Sequence, residues 1–119
     1  MPNKTITPVT IKFTPEFKRN LRALAKKYRH IKSDIQPVIE RIQEGNFLGD
    51  QISRTQGYTI FKVRVKNRDI PKGKRSGYRF IYYLKTHKEI ILITIYSKTE
   101  QSDIAPEKIR QIIKKSEPQ

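Results

Sequence analysis

The spacing of apolar residues along this chain switches between strand-like and helix-like, and each switch marks an element. "VTIKF", residues 9 to 13, reads as a strand that stops at "TP". Thr14 can then cap a helix, and Pro15 suits its first position, where a missing amide hydrogen costs nothing. Phe17, Leu21, Leu24 and Tyr28 follow at helical intervals, while Lys18, Arg19, Arg22, Lys26 and Lys27 take the opposite face. A second helix is expected from near Ser33, with Ile35, Val38, Ile39 and Ile42 on one side, Pro37 in or next to its first turn, and Gly45 placed to stop it. "GNFLGDQISRTQG" keeps no period and reads as a loop. Phe61, Val63 and Val65 then alternate with Lys62, Arg64 and Lys66, the pattern of a strand with one buried face. "NRDIPKGKRSG" leads to a second strand, Tyr78 to about Lys85, and "THKE" turns into a third, "IILITIY", which together suggest an antiparallel meander. From Ala105 onward, Pro106 and Glu107 begin a helix, Ile109, Ile112 and Ile113 line one face, and Lys114 and Lys115 suit its negative end. The expected fold is α+β: an N-terminal strand and helical hairpin packed on an antiparallel sheet, then a C-terminal helix, as one domain over residues 1–119.

Composition narrows the chemistry. A chain of 119 residues can bury a single core, and with no cysteine it has neither disulfides nor a thiolate metal site. Its two histidines, His30 and His87, are far apart and read as solvated loop residues, so no metal or cofactor is expected. No segment has the length or apolarity of a signal peptide or membrane span, which makes a soluble cytoplasmic protein without a membrane partner the default expectation.

Charge changes the picture most. Lysine and arginine number 26 against 11 acidic residues, a formal +15, and such an excess favours polyanions, nucleic acid above all. The excess is concentrated. Between Ile60 and Lys88 stand Lys62, Arg64, Lys66, Arg68, Lys72, Lys74, Arg75, Arg79, Lys85 and Lys88, opposed by Asp69 alone. On a strand, alternate side chains emerge on one face about 6.5 to 7 Å apart, near the spacing of phosphates in a single-stranded chain. Lys62, Arg64 and Lys66 can therefore track a nucleic-acid backbone, with Arg68, Lys72, Lys74 and Arg75 extending the basic surface. Arg79 interrupts an apolar, aromatic strand, and a guanidinium cannot shed its proton to escape burial, so it needs an anion. That anion is either a structural carboxylate, Glu100 or Asp69, or a phosphate from outside. Past the third strand, Tyr96, Lys98 and Glu100 alternate in "YSKTEQSD", a proton donor, a cation and a carboxylate.

"FKVRVKNRDIPKGKRSGYRFIYYL" followed by "ILITIYSKTEQSDI" resembles the RelE/ParE superfamily of bacterial type II toxins, and within it the HigB-like branch. The resemblance spans nearly the whole chain; the basic turn and the "TIYSKTEQSDI" ending are its specific parts. It implies a compact microbial-ribonuclease-like sheet with packed helices, endonucleolytic cleavage of messenger RNA at the ribosome, and a cognate antitoxin protein. By the same resemblance Lys62 and Arg64 fall on the strand cations of RelE-type ribonucleases, and Arg79 on the arginine that grips the scissile phosphate. Thr99 and Ala105 stand where those enzymes carry a further arginine and a tyrosine, which leaves the general acid to Tyr96 or Lys98. If the substrate's own 2′-hydroxyl attacks the phosphate, no metal is needed. Like charge from Arg64 and Lys66 favours the neutral form of Lys62, which suits it as the base. Two other readings stand beside this one: a ParE-like gyrase inhibitor, which shares the fold but lacks the cationic constellation, so that "FKVRVK" with Arg79 argues against it, and a non-catalytic binder of RNA or ribosome, which would show the same basic strands without needing proton-transfer groups.

Overall fold

The computed structural model describes residues 9–70 and 77–116, so Lys72, Lys74 and Arg75 lie outside the described residues. In chain order the elements are β1 (Thr10–Phe13), α1 (Pro15–Lys27), α2 (Ile31–Gln43), β2 (Asp50–Gln51), β3 (Ile60–Val65), β4 (Tyr78–Thr86), β5 (Glu89–Ser97) and α3 (Pro106–Ser116). The strands form one sheet in the order β1-β5-β4-β3-β2. β3, β4 and β5 are the expected antiparallel meander. The sheet as a whole is mixed rather than antiparallel, because β1 lies parallel to β5, Thr10 against Glu89 through Phe13 against Leu92. A parallel partner needs a long crossover, and the whole of the intervening chain supplies it.

α1 begins as its sequence dictates: the Thr14 hydroxyl accepts from the Phe17 amide at 2.9 Å with Pro15 at the first position. The same hydroxyl donates to the Ile93 carbonyl, so the cap also ties the helix to β5. α2 starts two residues before the expected Ser33, which places Pro37 inside the helix rather than in its first turn. The earlier start is supported from outside the helix, since Asp69 accepts from the His30 amide at 3.0 Å and so satisfies a donor that no local side chain caps. At the other end Gly45 has φ 95°, and the amides of Gly45 and Asn46 return to the carbonyls of Ile42 and Arg41, the hydrogen-bond pattern of a glycine-terminated helix. The segment expected to be all loop contains β2, a two-residue edge strand that pairs Asp50 with Lys62 and Gln51 with Phe61.

The sheet separates two apolar layers. On one face Phe17, Leu24, Tyr28, Ile31, Ile35 and Ile42 from α1 and α2 pack against Val63, Val65, Tyr78, Phe80, Tyr82, Ile90, Leu92 and Ile95. On the other, Ile109, Ile112 and Ile113 of α3 cover Ile60, Ile81, Ile91, Ile93 and Tyr96. Each fully buried isoleucine contributes about 1.5–3 kcal/mol, so α3 is held by its three isoleucines more than by propensity. A single helix cannot span that face. It covers the Ile81 and Ile93 region, while Lys62 and Arg79 remain only half-buried and Arg64 is exposed.

Candidate nucleic-acid interface

Strand register assembles the site. Arg64 of β3 stands directly opposite Arg79 of β4, and Arg79 directly opposite Tyr96 of β5, so the three form one row across the sheet on the face shared with α3. Lys62 is two residues from Arg64 on the same side of β3, opposite Ile81. Two arginines side by side repel, and like charges directly opposed destabilise an antiparallel pair. Neither Arg64 nor Arg79 forms a salt bridge with any described residue. Among the described residues the guanidinium of Arg79 donates only to the Tyr78 carbonyl, at 3.3 Å. The carboxylates that might have served as its structural partner are engaged elsewhere: Asp69 with His30 and Glu100 with Lys27.

Tyr96 is 5% exposed, and burial, with help from the nearby Asp103 carboxylate, pushes its hydroxyl up to about 12 although Arg79 opposes the shift. It therefore keeps its proton at neutral pH and can give it up only to a strongly basic leaving group. Asp103 joins this row from the loop after β5, and sequence reasoning missed it. Its Oδ1 accepts from the Ile104 amide at 2.8 Å, lies 3.3 Å from Lys62 Nζ, and is 3.4 Å from the Tyr96 hydroxyl. The Ile104 amide, then Lys62 and Tyr96, hold its carboxyl below the usual carboxylate range against the cost of burial. The ion pair with Asp103 offsets the like-charge crowding expected at Lys62. Asp103 lies within the "TIYSKTEQSDI" ending, but its role was hidden there, because it meets Lys62 across 41 residues and the turn after β5 makes the contact.

The Lys98 ammonium donates to the Ser102 carbonyl at 2.6 Å, next to Asp103, and closes its own loop. Lys66 follows β3 on the exposed surface. Arg68 is turned toward α2, where Asp34 accepts from its Nε at 2.8 Å and its backbone amide at 3.1 Å. His30 is not a free loop residue as expected: its Nδ1 is 2.7 Å from Asp69 Oδ1, and that hydrogen bond is the main cause holding the Asp69 carboxyl below its ordinary range. His87 is exposed in the β4–β5 turn. Among the described residues no group of three or more His, Asp or Glu could hold a metal ion, and no helix is long and apolar enough to cross a membrane.

This arrangement can hold one phosphate between two arginines, present a protonated tyrosine beside it, and keep a carboxylate within reach of both a lysine and the tyrosine. No family model matches the sequence.

Proposed function

We propose that this chain is the toxin of a two-component toxin–antitoxin pair, an endoribonuclease that cleaves messenger RNA at the ribosome and so stops translation. The observation that carries the reading is Arg79: a half-buried guanidinium, opposed to a second arginine, whose only hydrogen bond among the described residues is to a neighbouring backbone carbonyl. A sheet does not gain stability from such a pair, so its use is to meet an anion that arrives. Tyr96 in the same row supplies what a passive phosphate clamp lacks, a group that can transfer a proton. The motifs shared with HigB-like toxins favour RNA as the anion.

In this mechanism the ribose 2′-oxygen attacks the adjacent phosphorus. The O2′–P bond forms as the P–O5′ bond breaks, leaving a 2′,3′-cyclic phosphate on one fragment and a 5′-hydroxyl on the other. Arg64 and Arg79 hold the phosphate in line and stabilise the charge that develops on its oxygens, the Lys62 ammonium adds to that field, and Tyr96 gives its proton to the departing 5′-oxygen. The 2′-hydroxyl proton leaves to a base at the site. No metal is required, because the nucleophile belongs to the substrate.

Expression of Arg79→Ala tests the reading. Growth inhibition and messenger cleavage should both be lost while the melting temperature stays at or above that of the wild-type protein. Retained toxicity, or a sharply lowered melting temperature, would show that Arg79 serves the fold. A wild-type protein that binds RNA and arrests translation without cutting it is the passive binder instead.

A further inference from the structure

Resting on the ribonuclease reading, one proton in the reaction lacks an acceptor. Arginine is always charged, so Arg64 and Arg79 cannot take it. Tyr96 already carries its proton. Lys98 is committed to the Ser102 carbonyl, and Glu100 turns to Lys27 of α1, the helix on the opposite face of the sheet. Lys62, the base expected from sequence, is ion-paired at 3.3 Å. We propose that Asp103 is the general base, and that it takes the 2′-hydroxyl proton on the oxygen its present contacts leave free.

Three observations support the assignment. All three donors that reach this carboxylate converge on Oδ1, and among the described residues no donor meets Oδ2. The side chain is 67% exposed, so a ribose can approach it. Its loop is also fixed: the amides of Glu100 and Gln101 donate to the Ser97 carbonyl, Lys98 to the Ser102 carbonyl, and the Gln101 side chain to the Asp103 carbonyl. The carboxylate is thus a placed group and not a side chain adrift in solvent. Its contact with the Tyr96 hydroxyl is long, 3.4 Å, so a phosphate held by Arg79 can part the two oxygens at little cost. Asp103 then stands at the nucleophile and Tyr96 at the leaving group. The transferred proton passes from the 2′-oxygen to Oδ2, and the pair returns to its resting state when solvent removes it and Tyr96 is reprotonated.

The choice of base sets the pH profile. A carboxylate held below its ordinary range is ionised throughout neutral pH, so cleavage should be flat from mildly acidic to mildly alkaline buffer. A lysine base would instead make the rate climb with pH toward the lysine range. The experiment is single-turnover cleavage of a messenger bound to ribosomes by the purified full-length chain across that pH range, with Asp103→Asn and Asp103→Glu alongside the wild type. RNA affinity and melting temperature are measured on each protein. Asp103→Asn should slow cleavage by about 10² or more, without weakening RNA binding, since it removes a negative charge from a cationic face. Asp103→Glu should restore a measurable part of the rate and keep the flat profile. A wild-type rate that rises steadily with pH overturns the proposal, as does an Asp103→Asn protein that cleaves as fast as, or faster than, the wild type. So does an Asp103→Asn protein that loses rate, affinity and melting temperature together, which makes the residue structural. If the wild type itself fails to cleave, the ribonuclease reading falls; if it cleaves and Asp103→Asn does too, only the base assignment falls.

Discussion

At the scale of single residues, the cationic row sets like charges side by side, a cost for which the proposed function supplies a reason. Arg64 and Arg79 are opposed across β3 and β4 with no salt bridge to any described residue, so shortening either should relieve repulsion. Arg64→Ala is expected to slow cleavage by about 10², the range of a single electrostatic contribution, while leaving the melting temperature unchanged or slightly raised. Calorimetry and single-turnover kinetics on the same preparation check both halves, and a melting temperature that falls with the rate would mean that Arg64 has a structural partner. By linkage, anything that binds the folded row stabilises it, so a short single-stranded RNA should raise the melting temperature of the wild type more than that of Arg79→Ala. The components of the row were legible in sequence as alternating cations and an arginine inside an aromatic strand. Its completion was not: Asp103 is one of 11 acidic residues and has no periodicity to mark it, because its partners Lys62 and Tyr96 are brought to it by two different strands.

At the scale of elements, local signals mark the ends of helices and the faces of strands. Thr14 and Pro15 begin α1, Gly45 ends α2, and period-two alternation marks β3. Alternation shows which side chains share a face and not which strand lies alongside, so β1 gave no sign that it would run parallel to β5. A two-residue strand such as β2 is too short to carry a period. The start of α2 was hidden for a different reason, since the carboxylate that supports it is 39 residues away. Two carboxylates join α2 and its cap to the segment after β3, Asp69 through His30 and Asp34 through Arg68. The Asp69 carboxyl is held below its ordinary range mainly by the His30 ring, so the stability it contributes is present above that range and lost as the pH falls through the lowered value. Asp69→Asn should therefore flatten the acid side of the stability curve, as followed by melting temperature against pH; an unchanged acid limb would show that the contact contributes nothing. The junction of β3 and β4 is tight as well. A methyl group on Gly77 would lie 2.6 Å from the Val65 carbonyl oxygen, at the end of the sheet that carries Arg64 and Arg79. Gly77→Ala should destabilise the protein by about 1–3 kcal/mol, read from denaturant unfolding, and slow cleavage by shifting the two arginines out of register.

At the scale of the whole molecule, a formal +15 on 119 residues is a field as well as a set of contacts. It draws in any polyanion, and in the proposed role the protein needs a partner that screens it until it is required. An acidic or helical segment of an antitoxin laid over Lys62, Arg64 and Arg79 would remove both charge and access. Its association rate should fall steeply as salt is raised, and RNA cleavage in a translating extract should stop when the partner is added. If association is indifferent to salt, the partner holds the protein by an apolar surface instead. In the proposed role, the same architecture also sets when activity can first appear. β5 lies between β1 and β4 in the sheet, supplies Tyr96, and receives the Thr14 hydroxyl bond across 79 residues. A chain emerging from a ribosome thus cannot seat β1 or close its cationic row until β5 has been made. Non-local closure of this kind is slow relative to helix formation. A partner already present in the cell can meet the nascent chain while its cations are still strung along an unfinished sheet, before there is any activity to inhibit.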